Sequence, residues 1–243
     1  MEKRLINVLA PLAGLFPEHG IPRGSVVALT GTNAVSSLLF AILARPVAHG
    51  AWAGIAGMPQ LGLEAAAGFG APLDHLLLAP YPGDEWLAVV ATMLDGCDLV
   101  AVSPTSMLRT SLARRIAARA RERRSVLLVA SPFGAGQRPF GAGQRPFGAG
   151  HVPAPMWSDA VDIHLRVEAG RWHGIDTGNG ALRRRLVTVR SSGRRSSMLE
   201  RSARLWLPAA DGNVMLAGEE RSAPRSDAEH ERRSDIPVAP LAG

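Results

Sequence analysis

Gly31-Thr32-Asn33-Ala34-Val35-Ser36-Ser37-Leu38 has the spacing of a phosphate-binding loop and little of its chemistry. In the pattern G-x-x-x-x-G-K-[ST], the second glycine lets the backbone close around the phosphates, the lysine neutralises them, and the hydroxyl holds Mg²⁺. Here those three positions are Ser36, Ser37 and Leu38. Lys3 is the single lysine of the chain, so no other lysine can substitute. An apolar run, Val26-Val27-Ala28-Leu29, precedes the segment and reads as a buried strand. Leu38-Leu39-Phe40-Ala41-Ile42-Leu43 follows it and reads as a helix. The scaffold of a nucleotide-binding loop is expected without a bound nucleotide or any other cofactor.

Other reactive side chains are dispersed. Seven histidines (His19, His49, His75, His151, His164, His173 and His230) show no paired spacing with a carboxylate, so no metal site is expected. Asp162 and His164 fall on one face of a predicted strand, but with no nucleophile placed beside them they read as a surface polar pair. Cys97 is alone, which excludes a disulfide framework and a cysteine-based metal site and fits a reducing cytoplasm. No stretch reaches the roughly 18–20 unbroken apolar residues of a membrane span, and the N-terminus has no long apolar leader. A soluble, cytoplasmic protein without membrane contact is expected.

The net charge of +6 comes almost wholly from arginine. An anionic partner and the coding bias of a GC-rich genome explain this equally well. The segment 106–124 reads as a basic amphipathic helix. Leu108, Leu112, Ile116 and Ala120 are expected to face the sheet, with Arg114, Arg115, Arg119, Arg121, Arg123 and Arg124 largely outside. Arg183, Arg184, Arg185, Arg194 and Arg195 form a second basic cluster. Both clusters are candidate contacts for DNA or an acidic partner, against the plainer reading of solvated faces. Trp52, Trp86, Trp157, Trp172 and Trp206 read as packing anchors, with Trp206 the best candidate for a contact surface.

These residues need elements to position them. Between residues 22 and 131 short apolar runs alternate with helical patterns, the signature of an α/β domain with a mainly parallel, twisted sheet flanked by helices. Strands are predicted over 25–29, 51–55, 76–78, 99–102 and 126–130, with burial on both faces, and helices over 35–48, 61–69, 85–94 and 106–123. Period-two alternation at 161–167, 186–190 and 203–207 predicts an antiparallel extension of the sheet. Phe133-Gly-Ala-Gly-Gln-Arg-Pro is repeated from Phe140 and begins again at Phe147, and its Gly and Pro forbid a helix. It reads as a duplicated flexible loop over 132–152, although Arg138 and Arg145 among the phenylalanines also suit stacking on a single strand. From 218 to 243 the composition predicts a disordered tail.

Gly20-Ile21-Pro22-Arg23-Gly24-Ser25 and the strand after it resemble the entry to the ATPase core of the RecA recombinases. Phe69-Gly70-Ala71-Pro72-Leu73-Asp74-His75-Leu76-Leu77 resembles the start of that family's third core strand. Asp98-Leu99-Val100-Ala101-Val102-Ser103 resembles its Walker B strand, and Val126-Leu127-Leu128-Val129-Ala130 the strand before its second DNA-binding loop. The resemblance spans about residues 20–207 at low identity and rests on the order of segments. It implies a RecA-like domain over 20–217 behind an N-terminal leader over 1–19. It also places the Mg²⁺-positioning carboxylate at Ser103 and the water-activating glutamate at Met58, so both are lost together with the lysine.

Within that superfamily the chain is most similar to the ImuA-type accessory proteins, in its Val8-Leu9-Ala10-Pro11-Leu12-Ala13-Gly14-Leu15-Phe16-Pro17 leader, degenerate loop and Arg-rich end. It begins closer to the core than members of that family, so an N-terminal helical segment is expected to be missing. The resemblance implies a non-catalytic adaptor in SOS-induced mutagenesis and translesion DNA synthesis. Its implied partners are a polymerase-like adaptor protein of the ImuB type and an error-prone replicative-type DNA polymerase, with DNA as a further contact. Two alternatives stand beside it: a SulA-like cell-division inhibitor, and an ATP-dependent RecA-type recombinase with an atypical loop.

Overall fold

Runs such as Val26-Val27-Ala28-Leu29 and Val126-Leu127-Leu128-Val129 have no polar face, so each needs apolar cover on both sides. In the computed structural model they lie side by side at the centre of one sheet. The structure describes residues 4–31, 34–103, 109–130, 157, 159–168, 170–176, 179–193 and 200–218. The first half of the chain runs β1 (Leu5–Asn7), α1 (Ala10–Ala13), β2 (Gly20–Pro22), β3 (Val26–Gly31), α2 (Val35–Ala48), β4 (Ala53–Ala56), α3 (Leu63–Gly68), β5 (Leu76–Ala79), α4 (Trp86–Gly96), β6 (Leu99–Val102), α5 (Thr110–Arg123) and β7 (Val126–Ala130). The second half runs β8 (Ile163–Val167), β9 (Arg171–Asp176), β10 (Asn179–Gly193), β11 (Arg201–Trp206) and β12 (Met215–Leu216).

The main sheet has the order β5-β4-β6-β7-β3-β8-β10-β11-β12, with β9 beside the first half of β10. Strands β3 to β8 run parallel to one another. β10 runs antiparallel to β8, β9 and β11, which makes the sheet mixed. β1 and β2 form a separate antiparallel pair.

Two apolar layers cover the sheet. One joins residues of α2 and α3 and the segment around α1 to β3, β8, β10 and β11 through Leu12, Phe16, Leu38, Ile42, Leu165, Val189 and Leu205. The other joins α4 and α5 to the opposite face through Val90, Leu94, Ile116, Ala120, Val100 and Val129. Val187, Val189 and Leu205 of β10 and β11 pack in the first layer, while the alternate positions on the other face are mostly polar, with Leu186 and Trp206 among them. Leu12, Leu15 and Phe16, within the predicted leader, are buried in that first layer.

The α/β class, the flanking helices and the antiparallel extension hold. Two predicted details change. The basic helix begins at Thr110, because Arg109 is extended (φ −82°, ψ 149°), and residues 104–108, with Leu108, lie outside the described residues. Its buried residues are Ala113, Ile116, Ala117 and Ala120, while Leu112 is only half-buried. A strict spacing of four drifts about 40° per step around a helix of 3.6 residues per turn, and the sheet follows the 3.6 period instead. The second correction is β5, which is not buried on both faces: it is the last strand of the sheet, and Leu77 and Leu78 are each 44% exposed. The repeat over 132–152 and the tail from 219 lie outside the described residues. Among the described residues no helix is long and apolar enough to cross a membrane.

Candidate functional site

β3, β4 and β6 point the same way, so their C-terminal ends share the edge where open α/β sheets bind ligands. Gly31 ends β3, Met58 follows β4 by two residues, and Ser103 follows β6 directly. Gly31 is explained by packing: a Cβ there would lie 2.5 Å from the Val167 carbonyl oxygen on β8. Ala34 opens α2 in a left-handed conformation (φ +64°) with no side-chain cap, a geometry that strains any residue but glycine. Thr32 and Asn33 lie outside the described residues.

Three of the positions that the resemblance assigns to phosphate, Mg²⁺ or water are taken up by the fold. Leu38 is wholly buried in the first core layer, and Met58, 5% exposed, belongs to the same layer. The Ser103 N–H donates to the Ala56 carbonyl at 3.2 Å, tying the ends of β6 and β4 together. Ser36 and Ser37 are half-buried on the first turn of α2.

Arg185 reaches this edge from β10. Its Nη2 donates to Ser37 Oγ at 2.7 Å and its Nε to the Leu207 carbonyl at 3.1 Å. Its guanidinium carbon lies 4.7 Å from the centre of the Trp172 ring, and the residue is only 7% exposed. Burial pulls the guanidinium pKa below its ordinary value. An arginine thus places positive charge beside the first turn of α2, with Nη2 donating to Ser37 and Nε to Leu207.

The remaining predicted contacts divide. Arg114 pairs with Asp159 at 2.7 Å, and Arg119 and Arg123 both pair with Asp95, at 2.5 and 3.0 Å. Much of the helix charge is therefore used within the fold, while Arg115 stays exposed. Arg183 is exposed, but Arg185 is buried, which corrects its reading as an outward contact. Trp206 is corrected too: it is 5% exposed, because Arg184 stacks over it at 4.3 Å and His173 packs edge-on at 5.1 Å. Trp52 and Trp172 are the half-exposed tryptophans. Asp162 accepts the Val26 N–H at 2.9 Å, anchoring the start of β3. Arg194 and Arg195 lie outside the described residues.

Three residues escaped the sequence reading. The registers Arg190↔Arg166, Thr188↔Arg204 and Leu186↔Arg171 put Arg166, Arg171 and Arg204 on the polar face of the antiparallel extension. Their alternation with buried Leu165, Val167 and Leu205 was the available signal. Arg190 on the same face is paired with Glu168 and Glu200. No group of three or more His, Cys, Asp or Glu side chains suited to a metal ion occurs among the described residues.

The family model described as MT3502 N-terminal domain matches residues 14–135, and the chain belongs to that family. The matched stretch covers β2 to β7 and stops before the antiparallel extension. The chain is also similar to an uncharacterized protein of Mycobacterium tuberculosis (strain ATCC 25618 / H37Rv), Rv3395c, with 39% identity over 110 residues. That alignment takes in 45% of this chain and 52% of the relative, so the chain spans about half the length of the curated relative it matches.

Proposed function

We propose that this member of the family is a non-catalytic adaptor with a RecA-like core, acting in SOS-induced mutagenesis beside a polymerase-like adaptor protein and an error-prone DNA polymerase. One observation carries the reading: the sheet edge where a nucleotide would be turned over is built into the fold instead. Leu38 and Met58 are core residues, Ser37 is held by Arg185, and Ser103 bridges two strands. Phosphoryl transfer needs a lysine, a metal and a base worth many kcal/mol of transition-state stabilisation, and these side chains offer none of the three. The mixed sheet, whose central strand β3 leads into the degenerate loop, supports the RecA-like part of the reading.

The partner assignment rests on the resemblance of the leader, the loop and the Arg-rich end to ImuA-type proteins. DNA, as a further contact, suits the arginines on the polar face of β8, β10 and β11.

The test has two arms. Purified protein is expected to show neither ATP binding by fluorescent-nucleotide titration nor turnover, and Ser37→Lys is expected to remain inactive because Ser103 and Met58 still lack carboxylates. Robust hydrolysis by that variant would overturn the non-catalytic reading. Co-purification with the polymerase-like adaptor protein is the expected result of the second arm, and selective capture of the tubulin-like division protein instead would favour a division inhibitor.

A further inference from the structure

The sheet ends at β5, and among the described residues most of the exposed large apolar side chains gather at that end. β5 pairs only with β4 among the described residues. The Ala79 carbonyl accepts the Gly57 N–H on the β4 side, so by alternation Leu77 also turns its backbone groups toward β4. Leu76 and Leu78 therefore turn theirs outward, as an open template for another strand.

The side chains around this edge are apolar and uncovered. Leu77 and Leu78 emerge on opposite faces of the strand, each 44% exposed, and Tyr81 just beyond is 82% exposed. Leu73 and Trp52 add to the same end, with Trp52 packed against His75 at 4.9 Å. Of the seven large apolar residues most exposed among those described, these are five.

Charge narrows what can dock there. Between Arg45 and Arg109 the chain has no Lys or Arg, yet carries Glu64, Asp74, Asp84, Glu85, Asp95 and Asp98. Asp95 and Asp98 are paired with arginines of other segments. The exposed carboxylates Asp74, Asp84 and Glu85 flank β5 in the chain, in a molecule that is otherwise basic. A nucleic acid would be repelled, and so would the same edge of a second copy.

We infer that the β5 edge is a docking site for an extended, basic and apolar segment of a partner protein, which adds to the sheet as one more strand. Main-chain hydrogen bonds to Leu76 and Leu78 would supply register. Alternate side chains would pack on Leu77 and Leu78, and arginine or lysine would meet the carboxylates. The inference deepens the adaptor reading by locating a partner surface, and it rests on that reading only for the idea that a protein partner exists.

The test uses the full chain and two labelled peptides of about eight residues, one alternating Arg with Val and one alternating Glu with Val, in low salt. The Arg peptide is expected to bind at least about tenfold more tightly than the Glu peptide and to slow hydrogen exchange at Leu76 and Leu78. Reversing the rim with Asp84→Arg and Glu85→Arg, which leaves the strand untouched, is expected to weaken it at least about tenfold. Leu78→Pro removes an outward N–H that makes no ladder bond, and is expected to abolish binding while the thermal melt stays close to wild type. Four results overturn the inference: no binding of either peptide, equal binding of both, protection elsewhere than β5, or a dimer of the chain that Leu78→Pro dissolves. None of these touches the ATP or co-purification arms, so the adaptor reading fails or stands separately.

Discussion

Leu38 stands where a nucleotide-binding loop has a hydroxyl, and it has become a core residue with no exposed surface. Restoring the hydroxyl therefore acts on the fold before it acts on any ligand. Leu38→Thr is expected to destabilise by about 2–4 kcal/mol, by leaving a cavity and burying a hydroxyl, and Leu38→Met by under about 1.5 kcal/mol. Urea denaturation of the two variants checks this, and a Thr variant as stable as wild type would show that the position is not packed. The absence of the lysine and of the Mg²⁺-holding hydroxyl from their loop positions was legible from residue types alone. The Arg185–Ser37 contact was not, because the run Arg183-Arg184-Arg185 does not say which arginine faces inward. That depends on the register of β10 against β9, where Arg185 lies opposite Trp172 and Arg184 opposite His173. Trp206 was misjudged for the same reason, since the groups that cover it come from two other strands.

At the scale of elements, the most legible pieces are those whose pattern leaves no choice. α2, β6 and β7 match their predicted spans residue for residue, because long apolar runs have no alternative solvent-facing arrangement. β1, β2, β9 and β12 were not found. β1 and β2 have three residues each and β12 has two, and β9 mixes Trp172 and Ile175 with Arg171, His173 and Asp176 in no clean period. α5 was found as a basic helix, but much of its charge proves to be spent on its neighbours. Asp95 on α4 accepts from Arg119 at 2.9 and 2.5 Å and from Arg123 at 3.0 Å, tying α4 to α5. The Arg119 guanidinium beside it, helped by Arg123, holds the Asp95 carboxyl below its ordinary range. A carboxyl lowered in the folded state contributes stability above its unfolded pKa and loses it as pH falls through the folded value. Asp95→Asn is thus expected to be less stable than wild type at neutral pH, with the gap closing below about pH 4. Urea midpoints across that range measure it, and a gap that persists in acid would place the effect elsewhere.

Seen whole, the molecule separates its charge and its apolar exposure. The β5 end carries carboxylates and uncovered leucines, while the β8–β10–β11 end carries arginines on its polar face. The sheet order also has a bearing on how the molecule comes into being. Its central strand β3 is the first of the parallel set in the chain, yet its two neighbours are β7 and β8, which come roughly a hundred or more residues later. The Val26 N–H likewise waits for Asp162. Until that late sequence arrives, β3 is an apolar strand with both edges open, and long-range parallel pairing of this kind is slow to close. Refolding is therefore expected to take hundreds of milliseconds or longer, with amides of β3 protected no sooner than those of β8 in pulse-labelled hydrogen exchange. A chain leaving the ribosome would hold this apolar strand without its neighbours until β7 and β8 have emerged, an interval in which it is open to wrong pairing.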